Sequence, residues 1–146
     1  MERKNYFELL GLDFDPPEKN DAKIKKAIAA WKQRTEDMLA NETSGPRRAA
    51  LNDELALHGD IVALMGDKTA RGAEARALKD QRLAQLEKLI DIMLMGQTGT
   101  PEVTNAQIRN VHLKLKLQPD TIESTYKKKG FVVQKRTQTV NLRDVF

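Results

Sequence analysis

The sequence predicts an all-α protein, in which a four-helix body with a long last helix precedes a small appendage of two helices. Three observations predict this class. Apolar residues recur at three- and four-residue spacing along most of the 146 residues. Helix-capping residues precede these segments, and glycine or proline follows them. The apolar residues are mainly Leu, Ile, Val, Ala and Met, since aromatic residues are only 5% of the chain.

The first two predicted helices are a short one and a long one. Gly11 ends the first helix, and the adjacent Pro16 and Pro17 form a loop because proline cannot continue a helix. The second helix begins at Asn20 or Asp21 and ends near Leu39. Its apolar stripe consists of Ile24, Ala27, Ile28, Trp31, Met38 and Leu39. We expect solvent around the basic residues off this stripe, which are Lys25, Lys26, Lys32 and Arg34.

The third predicted helix is a single long one that ends near Met65. Ser44 or Gly45 caps it, and Pro46 suits its first turn. Its wide apolar face, which implies contact with more than one neighbour, consists of Leu51, Leu55, Leu57, Ile61, Val62, Leu64 and Met65. Gly59 weakens this helix by about 1 kcal/mol relative to alanine.

The fourth predicted helix is the longest, from Lys68 or Thr69 to Leu94 or Met95. Gly66 and Asp67 precede it as a stop and a cap. Its second half carries a seam with the spacing of a coiled coil, formed by Leu83, Leu86, Ile90 and Met93. This seam is too short to define a coiled coil, but an exposed part of it is a candidate docking surface.

The sequence divides into a body at 1–95, a linker at 96–103 and a basic appendage at 104–146. Glycine, threonine and proline dominate the linker. In the appendage, Thr104 or Asn105 caps a helix that ends near Leu115, and a shorter helix follows from Gln118 to Gly130. The apolar segment 131–133 is either a strand or a packing tail. We expect the appendage to be truncated, and the chain to be the N-terminal part of a larger bacterial protein.

Candidate catalytic and metal-binding residues are few. The chain has no cysteine, and His58 and His112 lie in separate segments without a partner at metal-ligand spacing. Neither Ser44 nor Ser124 lies in a nucleophile elbow. We therefore expect no enzyme, no cofactor and no metal site. No apolar run is long enough for a transmembrane helix, and we expect a cytoplasmic protein.

The charge is uneven along the chain. Residues 1–95 hold 16 Lys and Arg against 17 Asp and Glu, whereas 96–146 hold 9 against 4. Candidate contacts to a polyanion are Lys127, Lys128, Lys129, Lys135 and Arg136. The last two helices have the order of a helix-turn-helix pair, but Asp120 and Glu123 begin the second helix, where they would face nucleic acid. This acidic start disfavours nucleic-acid binding.

The first 75 or so residues resemble the J domain of DnaJ-like co-chaperones. The segment Tyr-Phe-Glu-Leu-Leu-Gly-Leu at 6–12 is similar to the opening helix of that family, and Ile-Lys-Lys-Ala-Ile at 24–28 is similar to the start of its basic second helix. Leu-Met-Gly-Asp at 64–67, followed by Arg71, is similar to the junction before its final helix. The resemblance implies an antiparallel hairpin of the second and third helices.

The resemblance also bears on activity. J domains stimulate ATP hydrolysis by DnaK-type chaperones through a His-Pro-Asp tripeptide after the second helix. This sequence has Glu36, Asp37 and Met38 in those places, within a segment predicted to be helical. The resemblance implies partner contacts by Lys25, Lys26 and Lys32, and we add the neighbouring Arg34 to this candidate site.

Together these observations predict a non-catalytic adaptor or scaffold that binds another protein. The candidate docking surfaces are the basic second helix, the seam of the fourth helix and the C-terminal helix pair. Two alternatives stay open, a functional DnaJ-like co-chaperone and a nucleic-acid binder through the C-terminal pair. The apolar seams also leave a homodimer open, and the sequence does not identify the partner.

Overall fold

A computed structural model describes residues 4–134 of the chain. In this range the chain forms seven α-helices and two short β-strands. Their bounds are α1 Tyr6–Leu10, α2 Asp21–Asn41, α3 Gly45–Leu55, α4 His58–Gly66, α5 Lys68–Leu94, β1 Glu102–Thr104, α6 Asn105–Leu115, α7 Pro119–Lys128 and β2 Val132–Gln134. No helix among residues 4–134 has both the length and the apolar composition needed to cross a lipid bilayer.

The chain contains two compact units, Met1–Leu78 and Lys79–Phe146. The division falls inside α5, whereas the sequence suggested a boundary at the linker 96–103. The two halves of a long helix can pack in different hydrophobic cores. The sequence of α5 has no glycine or proline at residues 78 and 79 that would mark this division.

The ends of α1 and α2 follow from local hydrogen bonding. Gly11 has φ 69°, the left-handed conformation that glycine adopts without steric cost. The side chain of Asn20 accepts from the backbone N–H of Lys23 at 3.1 Å and caps α2. At the other end, the Arg48 guanidinium donates to the carbonyl oxygens of Leu39 (2.8 Å) and Glu42 (3.0 Å), which satisfies groups that a helix end leaves unpaired.

The predicted third helix is two helices, so the expectation of one continuous helix was wrong. The break lies at Ala56 and Leu57, and the backbone N–H of Leu57 bonds to the carbonyl of Glu54 in a tighter, three-residue turn. Helical hydrogen bonding resumes at once, because Ile61 N–H donates to Leu57 O at 2.8 Å. Gly59 is helical within α4 and does not cause the break.

The helices α2, α3 and α4 form the centre of the first unit. The helix α2 runs antiparallel to the chain of α3 and α4. Leu39, near the end of α2, contacts Arg48 in α3, whereas Trp31, earlier in α2, contacts Glu54 and His58. The buried apolar residues of this unit are Tyr6, Phe7, Leu10, Phe14, Ile24, Ile28, Trp31, Ile61, Met65, Ala75 and Leu78.

Two residues of the predicted apolar surfaces are exposed in the first unit. Met38 is 51% exposed and Val62 is 47% exposed. Met38 lies near the end of the hairpin, beside a hollow of about 500 Å³ that Ala50 and Leu51 also line. Thr35 is buried instead, because its hydroxyl donates to the carbonyl of Trp31 at 2.8 Å and so needs no water.

The second unit adds a small parallel sheet to its helices. Glu102 pairs with Val132, Val103 with Val133, and Thr104 with Gln134. The strand β1 lies partly in the predicted linker, so the helical class holds for most of the chain but not for these residues. The Thr104 side chain accepts from Gln107 N–H at 3.2 Å and forms a capping box that begins α6.

Two of the four residues in the seam predicted on the long helix, Leu86 and Ile90, are buried. They are fully buried in the second unit, and they cannot belong to an exposed docking surface. Met93 is exposed, together with Leu89, Ile92 and Met95, which were not part of the predicted seam. The other buried apolar residues of this unit are Val103, Ile108, Leu115, Leu117, Ile122, Tyr126 and Phe131.

Candidate protein-binding groove

The first unit contains an open groove of about 780 Å³ between α2 and α4. Eight of its lining residues come from α2 and four from α4. They are Asp21, Ile24, Lys25, Ile28, Ala29, Lys32, Gln33, Glu36, His58, Val62, Met65 and Gly66. The groove therefore follows the second helix over most of its length, and we name it the α2–α4 groove.

The floor of the α2–α4 groove is apolar. Ile24, Ile28 and Met65 are buried, and Val62 exposes nearly half of its side chain to the groove and to solvent. Val62, the exposed apolar side chain of this floor, can lower its free energy by burial against apolar side chains of another molecule.

One edge of the groove carries two lysines. Lys25 and Lys32 are seven residues apart on α2, which places them on one side of the helix about 10.5 Å apart along its axis. In the part of the chain that the structure describes, no carboxylate lies within 4.0 Å of either ammonium group. Asp21 also lines the groove, but its carboxylate pairs with Arg71 at 3.0 Å.

The wall of the groove at α4 is held by aromatic stacking. The rings of Trp31 and His58 are parallel within 4°, with their centroids 6.3 Å apart. The indole N–H of Trp31 donates to the Glu54 carboxylate at 3.4 Å, which satisfies its polar atom. Trp31 is the only tryptophan in the chain and contacts a groove residue, so its fluorescence reports on this site.

The structure separates the four basic residues predicted on α2. Lys25 and Lys32 line the groove, whereas Lys26 and Arg34 are exposed elsewhere on the helix. The candidate site therefore contains two of the four residues. The other two provide a matched comparison of equal charge.

The predicted polyanion contacts are partly engaged within the protein. Lys127 pairs with Glu123 at 3.0 Å, and Lys129 pairs with Asp91 at 3.1 Å. Lys128 is exposed. The remaining candidates, Lys135 and Arg136, lie outside the described residues. The two ion pairs reduce the positive charge that this cluster can offer to a phosphate backbone.

The residues in place of the His-Pro-Asp tripeptide lie inside α2. Asp37 accepts from the Gln33 side chain at 2.9 Å, and its carbonyl accepts from the Asn41 side chain at 3.0 Å. The helix continues to Asn41, and the connection to α3 is the short segment 42–44. These hydrogen bonds are typical of a regular, solvated helix surface.

The four groove residues on α4 were not predicted as site residues from the sequence. His58 and Val62 are four residues apart, so they lie on the same face of α4, and Gly66 follows at the same interval. This spacing is visible in the sequence. It could not be connected to α2, because the break at Ala56 and Leu57 sets the direction of α4.

The groove is lined by apolar, basic, acidic and amide side chains and by the imidazole of His58. No hydroxyl or thiol side chain lines it among residues 4–134, and in the same range no three histidine, aspartate or glutamate residues are grouped to hold a metal ion. Burial raises the pKa of Tyr126, but that residue belongs to the second unit.

Comparisons with models of protein families, with curated proteins and with solved structures give no match.

Proposed function

We propose that the chain is a non-catalytic protein-interaction module of degenerate J-domain type, which acts as an adaptor or scaffold. The observation that carries this proposal is the α2–α4 groove. It combines apolar side chains, among them the exposed Val62, with two lysines that have no carboxylate within 4.0 Å in the described part of the chain. Glu36 also lines the groove, one helical turn from Lys32. Such a combination favours a partner that brings apolar side chains and carboxylates together.

The groove suits an amphipathic helical segment of the partner. Such a helix can lay its apolar face on the exposed side chains of Ala29 and Val62 while acidic residues along one side meet Lys25 and Lys32. Each buried apolar side chain contributes roughly 1.5–3 kcal/mol, whereas an exposed ion pair contributes about 0–1 kcal/mol. The floor therefore supplies most of the affinity, and the lysines select the partner and orient it.

The J-domain type is supported by the sequence blocks together with the order of the helices. The first block lies in α1, the second in α2, and the third spans the end of α4 and the start of α5. We propose that the module does not stimulate a DnaK-type ATPase. The place of the activating tripeptide is occupied by Glu36, Asp37 and Met38, which continue the second helix.

A pair of double variants tests this proposal by affinity capture. Lys25→Glu/Lys32→Glu reverses both groove lysines, and Lys26→Glu/Arg34→Glu makes the same change of net charge on the same helix outside the groove. We expect the groove variant to lose the proteins that the wild type retains from a cell extract, while the control variant retains them.

The outcome is read only from variants that keep their fold. The circular dichroism spectra should match that of the wild type, since all four positions are exposed or half-buried. Retention of the same proteins by wild type and both variants would exclude the groove lysines as docking residues. Equal loss in both double variants would show that general positive charge, and not the groove, holds the partner.

A further inference from the structure

The outward face of α6 carries an arrangement that the proposed function does not use. Ile108 and Leu115 are buried and fix the inward side of this helix. The opposite side is exposed at Ala106, Gln107, Arg109, Asn110, Leu113 and Lys114. Leu113 is 59% exposed, so its side chain is accessible to a binding partner.

The charges on this face have a regular placement. At 100° per residue, Ala106, Asn110 and Leu113 form an uncharged central stripe opposite the buried side. Arg109 lies on one flank of the stripe, and Lys114 lies on the other, next to Gln107. Lys116 is exposed directly after the end of the helix, where its backbone is left-handed with φ 63°. The helix contains no aspartate or glutamate.

We propose that this α6 face binds double-stranded nucleic acid, with the helix in the major groove. That groove is about 12 Å wide, admits one α-helix, and has base edges at its floor and phosphates along both walls. Cations on both flanks match the two walls. The uncharged stripe matches the floor, where an asparagine can pair with adenine and an apolar side chain can contact a thymine methyl group.

The observations favour nucleic acid over an acidic protein. An acidic protein surface places its charges opposite the centre of a docking helix as readily as at its edges, and it does not call for an uncharged stripe between two cationic flanks. The proposed surface also differs from the lysine cluster at 127–129. Two of those lysines are in ion pairs, whereas α6 has no acidic residue of its own.

Fluorescence anisotropy of a labelled 20-base-pair DNA duplex with the full chain tests the proposal. Three phosphate contacts, one each for Arg109, Lys114 and Lys116, give a slope of log K against log salt of about −2.7, and affinity should fall about 40-fold between 50 and 200 mM salt. Arg109→Gln/Lys114→Gln removes two of the contacts and should reduce the slope to about −0.9. At 50 mM salt, we expect at least a tenfold loss of affinity.

The matched control is Lys127→Gln/Lys128→Gln, which removes the same charge from α7. We expect this variant to retain the wild-type affinity within about threefold. Loss of binding in the α7 variant but not in the α6 variant would overturn the proposal. So would a wild-type slope near zero, absence of duplex binding at 50 mM salt, or binding of poly-glutamate in place of the duplex. Circular dichroism of each variant confirms that the substitutions at these exposed positions leave the fold intact.

Discussion

Replacing Asp37 by proline interrupts α2 at the centre of the segment that takes the place of the His-Pro-Asp tripeptide. Residue 37 lies four residues before the end of the helix. A proline there cannot donate its backbone N–H to the carbonyl of Gln33, and its ring collides with that carbonyl. If this segment were a loop instead, as in the family that the sequence resembles, a proline would be tolerated.

The expected cost follows from the two ways in which the helix can respond. Keeping its full length costs about 3 kcal/mol, the usual penalty for proline inside a helix. Ending at Glu36 avoids that penalty but unravels the last turn. The hydrogen bond from Arg48 to Leu39 O, and that from Asn41 to Asp37 O, would then be lost at about 1 kcal/mol each. The cheaper response therefore costs about 2 kcal/mol, and we expect a loss of 2–3 kcal/mol.

Urea unfolding followed by Trp31 fluorescence measures this loss in the first unit alone. With a denaturant slope of about 2 kcal/mol/M, the unfolding midpoint of Asp37→Pro should fall by roughly 1–1.5 M. Asp37→Ala keeps the backbone hydrogen bond, and we expect its midpoint to stay within about 0.3 M of the wild type. Equal midpoints for the two variants would refute a continuous helix through residues 36–38.

Two further predictions concern the second unit. Burial raises the pKa of Tyr126 above 10.0, so the folded state holds the phenol proton more tightly than the unfolded state. The free energy of unfolding should fall as the pH rises above 10, and this fall should be smaller in Tyr126→Phe; equal pH profiles by circular dichroism would contradict this cause. Leu86→Ala should cost 2–5 kcal/mol because Leu86 is fully buried, whereas Ile92→Ala, at a position 60% exposed, should change stability by less than about 0.5 kcal/mol. Thermal unfolding compares the two, and similar losses would show that the burial of α5 is misassigned.

Helix ends were predictable from the sequence because they depend on neighbouring residues. Gly11, Asn20 and Thr104 act through bonds to residues at most four positions away. A capping side chain or a left-handed glycine needs no distant partner, so the residue type and its place before or after an apolar segment suffice.

Features that depend on distant contacts were not predictable in the same way. The strands β1 and β2 have three residues each, too few for an alternating pattern, and 27 residues separate them along the chain. The break at Ala56 and Leu57 lacks the glycine or proline that usually marks one. Both features exist because the surrounding unit favours them, which no local pattern reports.

The candidate site was also predictable only in the part that depends on local sequence. The spacing of Lys25 and Lys32 along one side of a helix is visible in the sequence. Their distinction from Lys26 and Arg34 is not, since it arises only where α4 brings Val62 and His58 beside α2. Sequence reasoning found the basic helix, and the structure shows which of its residues border an apolar floor.

The proposed adaptor function is tested most directly by single-turnover ATP hydrolysis by a purified DnaK-type chaperone, with and without this chain. We expect the hydrolysis rate to be unchanged at any ratio of the two proteins, because the segment 36–38 is part of α2 and has no His-Pro-Asp tripeptide. A J domain with an intact tripeptide serves as the positive control. An increase of several-fold in the rate by this chain would contradict the account and would identify it as a functional co-chaperone.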